Sequence, residues 1–257
     1  MNSIFQRVRI VLVEPSHPGN IGGTARAMKT MGLEHLVLVN PVRYPDPQAD
    51  WRAAGAMDVL DNAVVVPDVA TAVAGCHYVI GTSTRARAIP WPTVLAKDVG
   101  PLLTEQAPDA QIAILFGRED SGLSNEELQG CHTHLQIPSS KTYGSLNLAM
   151  AVQVVTYEIF QHLEQPTIAV SAEGQLVQSD AGGIGQRIWD KDPATGEQVD
   201  QMMAHLQRVM EASGFVDPAS PGHTVTRLRR LFMRHQLDDT EVQILRGLLK
   251  AVENRLK

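Results

Sequence analysis

A chain of 257 residues, 44% of them hydrophobic, has room for one or two domains with a full apolar core. Its 22 basic and 28 acidic residues leave a net charge of −6, which argues against an indiscriminate nucleic-acid binder and confines any RNA footprint to a local patch. With no run of about 18 apolar residues and no apolar signal core in residues 1–9, neither a membrane span nor a secretory leader is expected, and the location expected is cytoplasmic.

In chain order, short Val- and Ile-rich runs alternate with helical patterns. The strand candidates are 8–13, 35–40, 63–66, 78–83, 111–117 and 133–138, most of them apolar on both faces, as parallel strands covered by helices are. Helical periodicity falls at 21–31, 68–74, 98–106, 124–130 and 146–163. This order predicts an α/β fold with a mainly parallel sheet. Cys76 and Cys131 have no metal or redox spacing and read as reduced core residues. From 165 to 198 the pattern dissolves into Gly, Asp and Ser with isolated apolar residues, as in a linker or surface arm. Three more helical patterns, 199–213, 223–235 and 239–255, predict a small all-helical domain over 199–257. Residues 1–199 carry 13 basic and 21 acidic residues and residues 200–257 carry 9 and 7, so the C-terminal part is the better place for an RNA contact.

The stretch "LVEPSHPGNIGGTARAMKTMG" (12–32) runs from a strand through glycines into a helix. A dinucleotide site needs G-x-G-x-x-G and an acidic residue ending the second strand; here the glycines are 19, 22 and 23, and Asn40-Pro41 ends that strand. A nucleotide-dependent oxidoreductase is therefore the weaker reading, and no Walker loop is present. Asn20 is expected to cap the helix, while Arg26 and Lys29 share one of its faces; alone, these are ordinary surface features.

Two further segments change the balance. In "LFGREDSGLSNEEL" (115–128), Arg118, Glu119 and Asp120 crowd the C-terminal end of a strand, where α/β sheets place ligands, before a Ser124–Glu127 capping box. In "IPSSKTYGSLNLAMAVQVVTYE" (137–158) a short polar loop enters a helix apolar nearly all round.

Together the three segments resemble the motifs of the SPOUT superfamily of RNA methyltransferases, in its ribose 2′-O-methylating branch. They are N-x5-R from Asn20 to Arg26, F-G-x-E-x-x-G-L from Phe116 to Leu123, and S-L-N at Ser145, Leu146 and Asn147. Each is weak alone, and the ordered set across 8–163 is specific. Within the branch the chain is similar to the tRNA (cytidine/uridine-2′-O-)-methyltransferases, which carry a helical C-terminal domain and modify the first nucleotide of the anticodon loop. The resemblance implies a methyltransferase domain over 1–164 with a deep trefoil knot, an arm over 165–198, a tRNA-binding domain over 199–257, a homodimer, and S-adenosylmethionine as cofactor without a metal.

The same resemblance implies the site residues. Arg26 is the one most implicated in catalysis; a guanidinium stays protonated, so it serves by gripping phosphate and steadying a developing alkoxide rather than as a base. Ser145 and Asn147 stand beside the reacting centre, Asn20 orients Arg26 or the ribose, and Glu119 braces the loops or reaches the substrate. Cofactor contacts are expected from Thr82, Ser83 and Thr84, from Gly117, and from Ile137, Gly144, Ser145 and Leu146. RNA contacts are expected from Arg26, Lys29 and Arg85, and from Arg227, Arg230 and Arg234, which share a helical face with Arg229 beside it. Arg87 and a base-stacking Trp91 are weaker candidates. His132 and His134 alternate on a strand without a third metal donor and read as satisfied histidines. Intact Arg26, Ser145 and Asn147 argue against a non-catalytic RNA-binding protein, and the Asn20–Arg26 pair argues against a base methyltransferase.

Overall fold

The computed structural model describes residues 4–84, 90–140, 142, 144–164, 168–170, 176–178 and 191–256. Its elements in chain order are β1 (Val8–Val13), α1 (Pro18–Thr30), β2 (His35–Val39), α2 (Pro47–Ala53), α3 (Met57–Asp61), β3 (Val64–Val66), α4 (Val69–Val73), β4 (Tyr78–Thr82), β5 (Thr93–Leu95), α5 (Val99–Thr104), β6 (Ile112–Phe116), α6 (Asn125–Gln129), β7 (Thr133–Gln136) and α7 (Leu148–Glu164). A two-stranded antiparallel pair follows, β8 (Ile168–Val170) with β9 (Leu176–Gln178), then α8 (Gly196–Ala212), α9 (Thr224–His235) and α10 (Asp239–Leu256).

The first seven strands form one parallel sheet in the order β3-β2-β1-β6-β4-β7-β5. Alternate residues of each strand feed different cores. On one face Val8, Ile10 and Leu12 of β1 pack with Ile21 and Met28 of α1 and with Val152, Val155 and Ile159 of α7. On the other, Val11 and Val13 pack with Ala72 and Val73 of α4 and Leu128 of α6. Burying a side chain of this kind contributes about 1.5–3 kcal/mol, which is why the strands read as continuous apolar runs. All six expected strands are present. The edge strand β5 was not expected: it is three residues long, preceded by Pro90 and Pro92, and mostly exposed. Helices α2 and α3 were also unexpected, being too short to show a period, although the Asp46–Pro47 pair that starts α2 is a capping signal.

The glycines of 18–30 are inside α1, not in a turn before it. The helix starts at Pro18 and is capped by His17, whose Nδ1 accepts the Gly19 amide at 3.1 Å. The expectation that Asn20 caps the helix is thereby corrected: it lies in the first turn with its amide free for tertiary contacts. Gly22 is a packing glycine rather than a phosphate cradle. A Cβ there would lie 2.0 Å from the Ala49 carbonyl oxygen, so glycine lets α2 sit directly on α1.

The C-terminal helices share a core of Ala194, Val199, Met202, Met203, Met233 and Val242. They lie against the α/β part through Gly196 N–H to the Cys76 carbonyl (3.0 Å), Gln236 Nε2 to Gln106 Oε1 (2.7 Å) and Arg230 Nη1 to the Pro90 carbonyl (2.9 Å). Helix α8 begins three residues before the expected 199, with Thr195 and Gln198 forming a capping box.

Candidate active site

Strands β4, β6 and β7 are neighbours, and the loops leaving their C-terminal ends enclose one cavity with about 880 Å³ of empty space. All eight expected cofactor residues, Thr82, Ser83, Thr84, Gly117, Ile137, Gly144, Ser145 and Leu146, line it. Phe116, Leu123, Leu135, Leu148 and Ala151 supply apolar walls. The loops are held by Thr82 Oγ1 donating to the Leu115 carbonyl (2.9 Å), Ser83 N–H to the Leu135 carbonyl (2.9 Å) and Ser139 Oγ to the Gly144 carbonyl (2.9 Å).

The loop after β6 folds back on itself. Arg118 and Gly122 exchange backbone hydrogen bonds, Gly122 taking a positive φ of 73°. A Cβ on Gly117 would stand 2.1 Å from the Gly122 carbonyl carbon and 2.2 Å from the Leu123 nitrogen, so only glycine fits. The Arg118 guanidinium is committed to structure: Nε meets Glu14 at 2.8 Å and the two terminal nitrogens grip Glu127 at 3.1 Å each. These hydrogen bonds raise its pKa, and Glu127 in turn completes the capping box with Ser124 expected from the sequence.

A second, wider cavity opens beside the first and shares Glu119 with it. Asn20, Arg26 and Asn147 line it, bringing the first and third motifs together. Asn147 Nδ2 donates to Asn20 Oδ1 (2.9 Å), and Asn20 Nδ2 donates to Glu119 Oε1 (2.8 Å). Asn147 Oδ1 accepts the Ala149 amide, fixing the start of α7. The Glu119 carboxylate also takes the Ser16 amide and hydroxyl and the His17 amide at 3.0–3.2 Å. Burial pushes its pKa up, but Asn20 and the backbone donors outweigh that and hold it below the ordinary range. Four donors on one carboxylate make Glu119 a brace of the β1–α1 loop. The Arg26 side chain is exposed and has no hydrogen-bond or ion-pair partner among the described residues.

A depressed carboxylate pKa stabilises the fold above the ordinary value of about 4.3, and that contribution is lost as pH falls through the lower folded value. Glu119→Gln is therefore expected to melt below the parent protein at neutral pH, with the gap in Tm closing as the buffer is acidified below about pH 4. Parallel melting curves across that range would remove the brace.

The remaining candidates are scattered. Lys29 is tied to Asp58 at 2.6 Å and does not line either cavity. Arg85 and Arg87 lie outside the described residues. Trp91 is corrected from a base-stacking candidate to a structural one: Nε1 donates to the Cys131 carbonyl (2.8 Å) and its ring stacks on His134 at 5.6 Å. His134 also bonds the Leu128 carbonyl, and His132 accepts the Val79 amide at Nδ1, with burial lowering its pKa to about 4. Both are satisfied, and no metal-holding group of His, Cys, Asp or Glu occurs among the described residues. Burial raises the Cys76 thiol to about 11 and pushes Cys131 up as well, keeping both protonated. On α9, Arg229 pairs with Asp200 and Arg230 with Pro90, while Arg227 and Arg234 stay exposed. Sequence reasoning missed Ser16, His17, Arg52 and Gln153, which line the second cavity. Arg52 arrives there on α2, whose Asp-Pro start was the available signal.

Residues 7–157 match the SpoU rRNA Methylase family and residues 197–257 the TrmJ C-terminal domain of tRNA methyltransferases. Over 254 residues the chain is 45% identical to the tRNA (cytidine/uridine-2′-O-)-methyltransferase TrmJ of Photorhabdus laumondii, covering 99% of this chain and all of that one. The Sodalis glossinidius TrmJ is 44% identical, covering 99% and 94%. The crystal structure of TrmJ from Z. mobilis superimposes with a TM-score of 0.78 at 32% identity, covering 95% of this chain and 98% of that one.

Proposed function

The chain belongs to the SpoU rRNA methylase family and, along its whole length, to the TrmJ group of tRNA methyltransferases, and from that premise we propose that it methylates the ribose 2′-oxygen of cytidine or uridine at the first nucleotide of the tRNA anticodon loop. The observation that carries this reading is the pair of adjoining cavities that meet at Glu119, which is hydrogen-bonded through Asn20 to Asn147, one sized for a small cofactor and the other lined by Arg26.

The first cavity suits S-adenosylmethionine: Gly117 leaves the backbone of its loop bare, short hydroxyl side chains and loop backbone offer hydrogen bonds, and Phe116, Leu123 and Leu135 give an adenine an apolar wall. Bound there, the cofactor supplies a methyl already activated on a sulfonium. The protein then has two tasks, alignment and management of a proton. Ser145 and Asn147, at the mouth between the cavities, position the ribose. Asn20 holds Asn147 in place and is itself fixed by Glu119. The Arg26 fork grips an RNA phosphate and stabilises the 2′-oxygen as its proton passes to that phosphate. Arg227 and Arg234, the exposed cations of α9, contact the tRNA backbone. Their double replacement by alanine should raise KM for tRNA roughly tenfold and reduce the salt slope by about two, with kcat unchanged.

The chain divides into a methyltransferase domain over 1–164, an arm over 165–198 and a tRNA-binding domain over 199–257. A trefoil knot is supported by the strand order, in which β6 inserts between β1 and β4 and then β7 between β4 and β5. A homodimer is supported by Trp51 and Met150, 88% and 62% exposed, close to the second cavity. No helix among the described residues is long and apolar enough to cross a membrane. The test is mass spectrometry of unmodified tRNA incubated with the protein and S-adenosylmethionine. A 2′-O-methylated cytidine or uridine mapping to the anticodon loop is expected; a methylated base, or no product, overturns the reading.

A further inference from the structure

At the opposite end of the sheet, where the strands begin, a cavity of about 660 Å³ of empty space lies between β1, β2 and α4. Arg7, Arg9, His35, Asn62, Thr71 and Gln111 contribute its polar lining, and no carboxylate lines it. Within a chain carrying six more acidic than basic residues, that sign of charge is unusual.

Arg7 is only 5% exposed. Its Nη1 donates to the Ala107 and Ala110 carbonyls at 2.9 and 3.1 Å, and its Nε has no acceptor. Burial lowers its pKa against the weaker opposing pull of Asp109. Arg9 reaches the Ala72 carbonyl through one nitrogen at 3.1 Å. Among the described residues neither arginine forms an ion pair. Arg9 leaves β1 and Arg7 stands in the turn just before that strand, both lining the cavity, and His35 is the register partner of Arg9 on β2. A buried guanidinium bonded to carbonyl dipoles, with a second one beside it and Asp109 acting only from beyond ion-pair distance, has less counter-charge than buried cations ordinarily have. Arg9 retains donors for a forked contact, and Asn62, whose Nδ2 gives one hydrogen to the Asp58 carbonyl at 2.8 Å, adds a neutral one. Val64 and Val66 form an apolar wall beside them.

We propose that this cavity is a binding site for a small phosphate-bearing ligand, held by Arg9, His35 and Asn62 against the buried charge of Arg7. It is distinct from the donor and acceptor cavities, which open at the other ends of the strands, and it stands independently of the reaction proposed above.

The experiment is isothermal titration of the full chain in phosphate-free, low-salt buffer, with inorganic phosphate and with AMP as probes. Saturable binding near the millimolar range or tighter is expected, weakened roughly tenfold or more by Arg9→Gln. The variant should keep the parent KM for tRNA. His35→Gln and Asn62→Ala are read in parallel, so a failure of Arg9→Gln to fold leaves the test intact. The proposal is overturned if neither probe binds at about 20 mM, or if binding survives in the variants, which places the ion elsewhere. It is equally overturned if Arg9→Gln raises KM for tRNA without any phosphate binding to the parent, which assigns the site to the RNA backbone.

Discussion

Replacing Arg26 with alanine should lower the single-turnover rate of methyl transfer by roughly 10²–10³, as loss of one preorganised donor to a developing oxyanion does elsewhere. The side chain projects from the middle of α1 into the second cavity and spends no hydrogen bond on the fold among the described residues, so its removal leaves the structure standing. Cofactor affinity, measured by titration with S-adenosylhomocysteine, should stay unchanged, since Arg26 does not line the first cavity. Arg26→Lys separates two roles. It keeps the charge but loses the planar fork, and if bidentate grip on phosphate matters it should recover only a small part of the rate. A near-parental rate in Arg26→Ala would remove the arginine from the chemistry altogether.

Gly117→Ala is the second large effect. The added methyl has nowhere to go, because both atoms it meets belong to the backbone of the same loop. Either the Arg118–Gly122 pairing opens or β6 shifts, and overpacking of this kind costs about 1–3 kcal/mol. The cost is paired with a functional one: Arg118 anchors that loop to Glu14 and Glu127, so a shift moves the cavity wall and the Glu119 brace together. The expected outcome is a loss of S-adenosylhomocysteine affinity of roughly tenfold or more together with a fall in Tm of several degrees. Parental affinity in Gly117→Ala would mean that the loop does not shape the cofactor cavity. Gly55, whose surroundings are open, is the control: alanine there meets nothing within 4 Å.

Much of the sheet was legible because parallel strands buried on both faces announce themselves as unbroken runs of Val, Ile and Leu, as in β1 and β6. What escaped was short or depended on tertiary contacts. Helix α2 spans only seven residues and owes its position to Gly22, a relation between residues some 30 apart that no local period records. Arg52 was invisible as a site residue for the same reason. The motif residues were legible as members of a pattern, but their division of labour was not. Glu119 and Asp120 look alike in the sequence, yet one carboxylate collects three donors from the distant β1–α1 loop and a fourth from Asn20 of α1, and the other bonds its neighbour Ser121. On α9 four arginines read as one basic stripe, and packing against Asp200 and Pro90 separates two structural members from two exposed ones.

The order β1-β6-β4-β7 has a bearing on how the molecule is made. During synthesis β1 and β4 leave the ribosome well before residue 112, yet they must not pair with each other, since the slot between them is reserved for a later segment. A chain halted short of residue 112 therefore lacks both pairings that β6 makes with β1 and β4, and one halted short of residue 133 still lacks β7 and the third loop around the first cavity. Such long-range pairing is slow to form, so the newborn enzyme should acquire its donor affinity late and all at once rather than in stages.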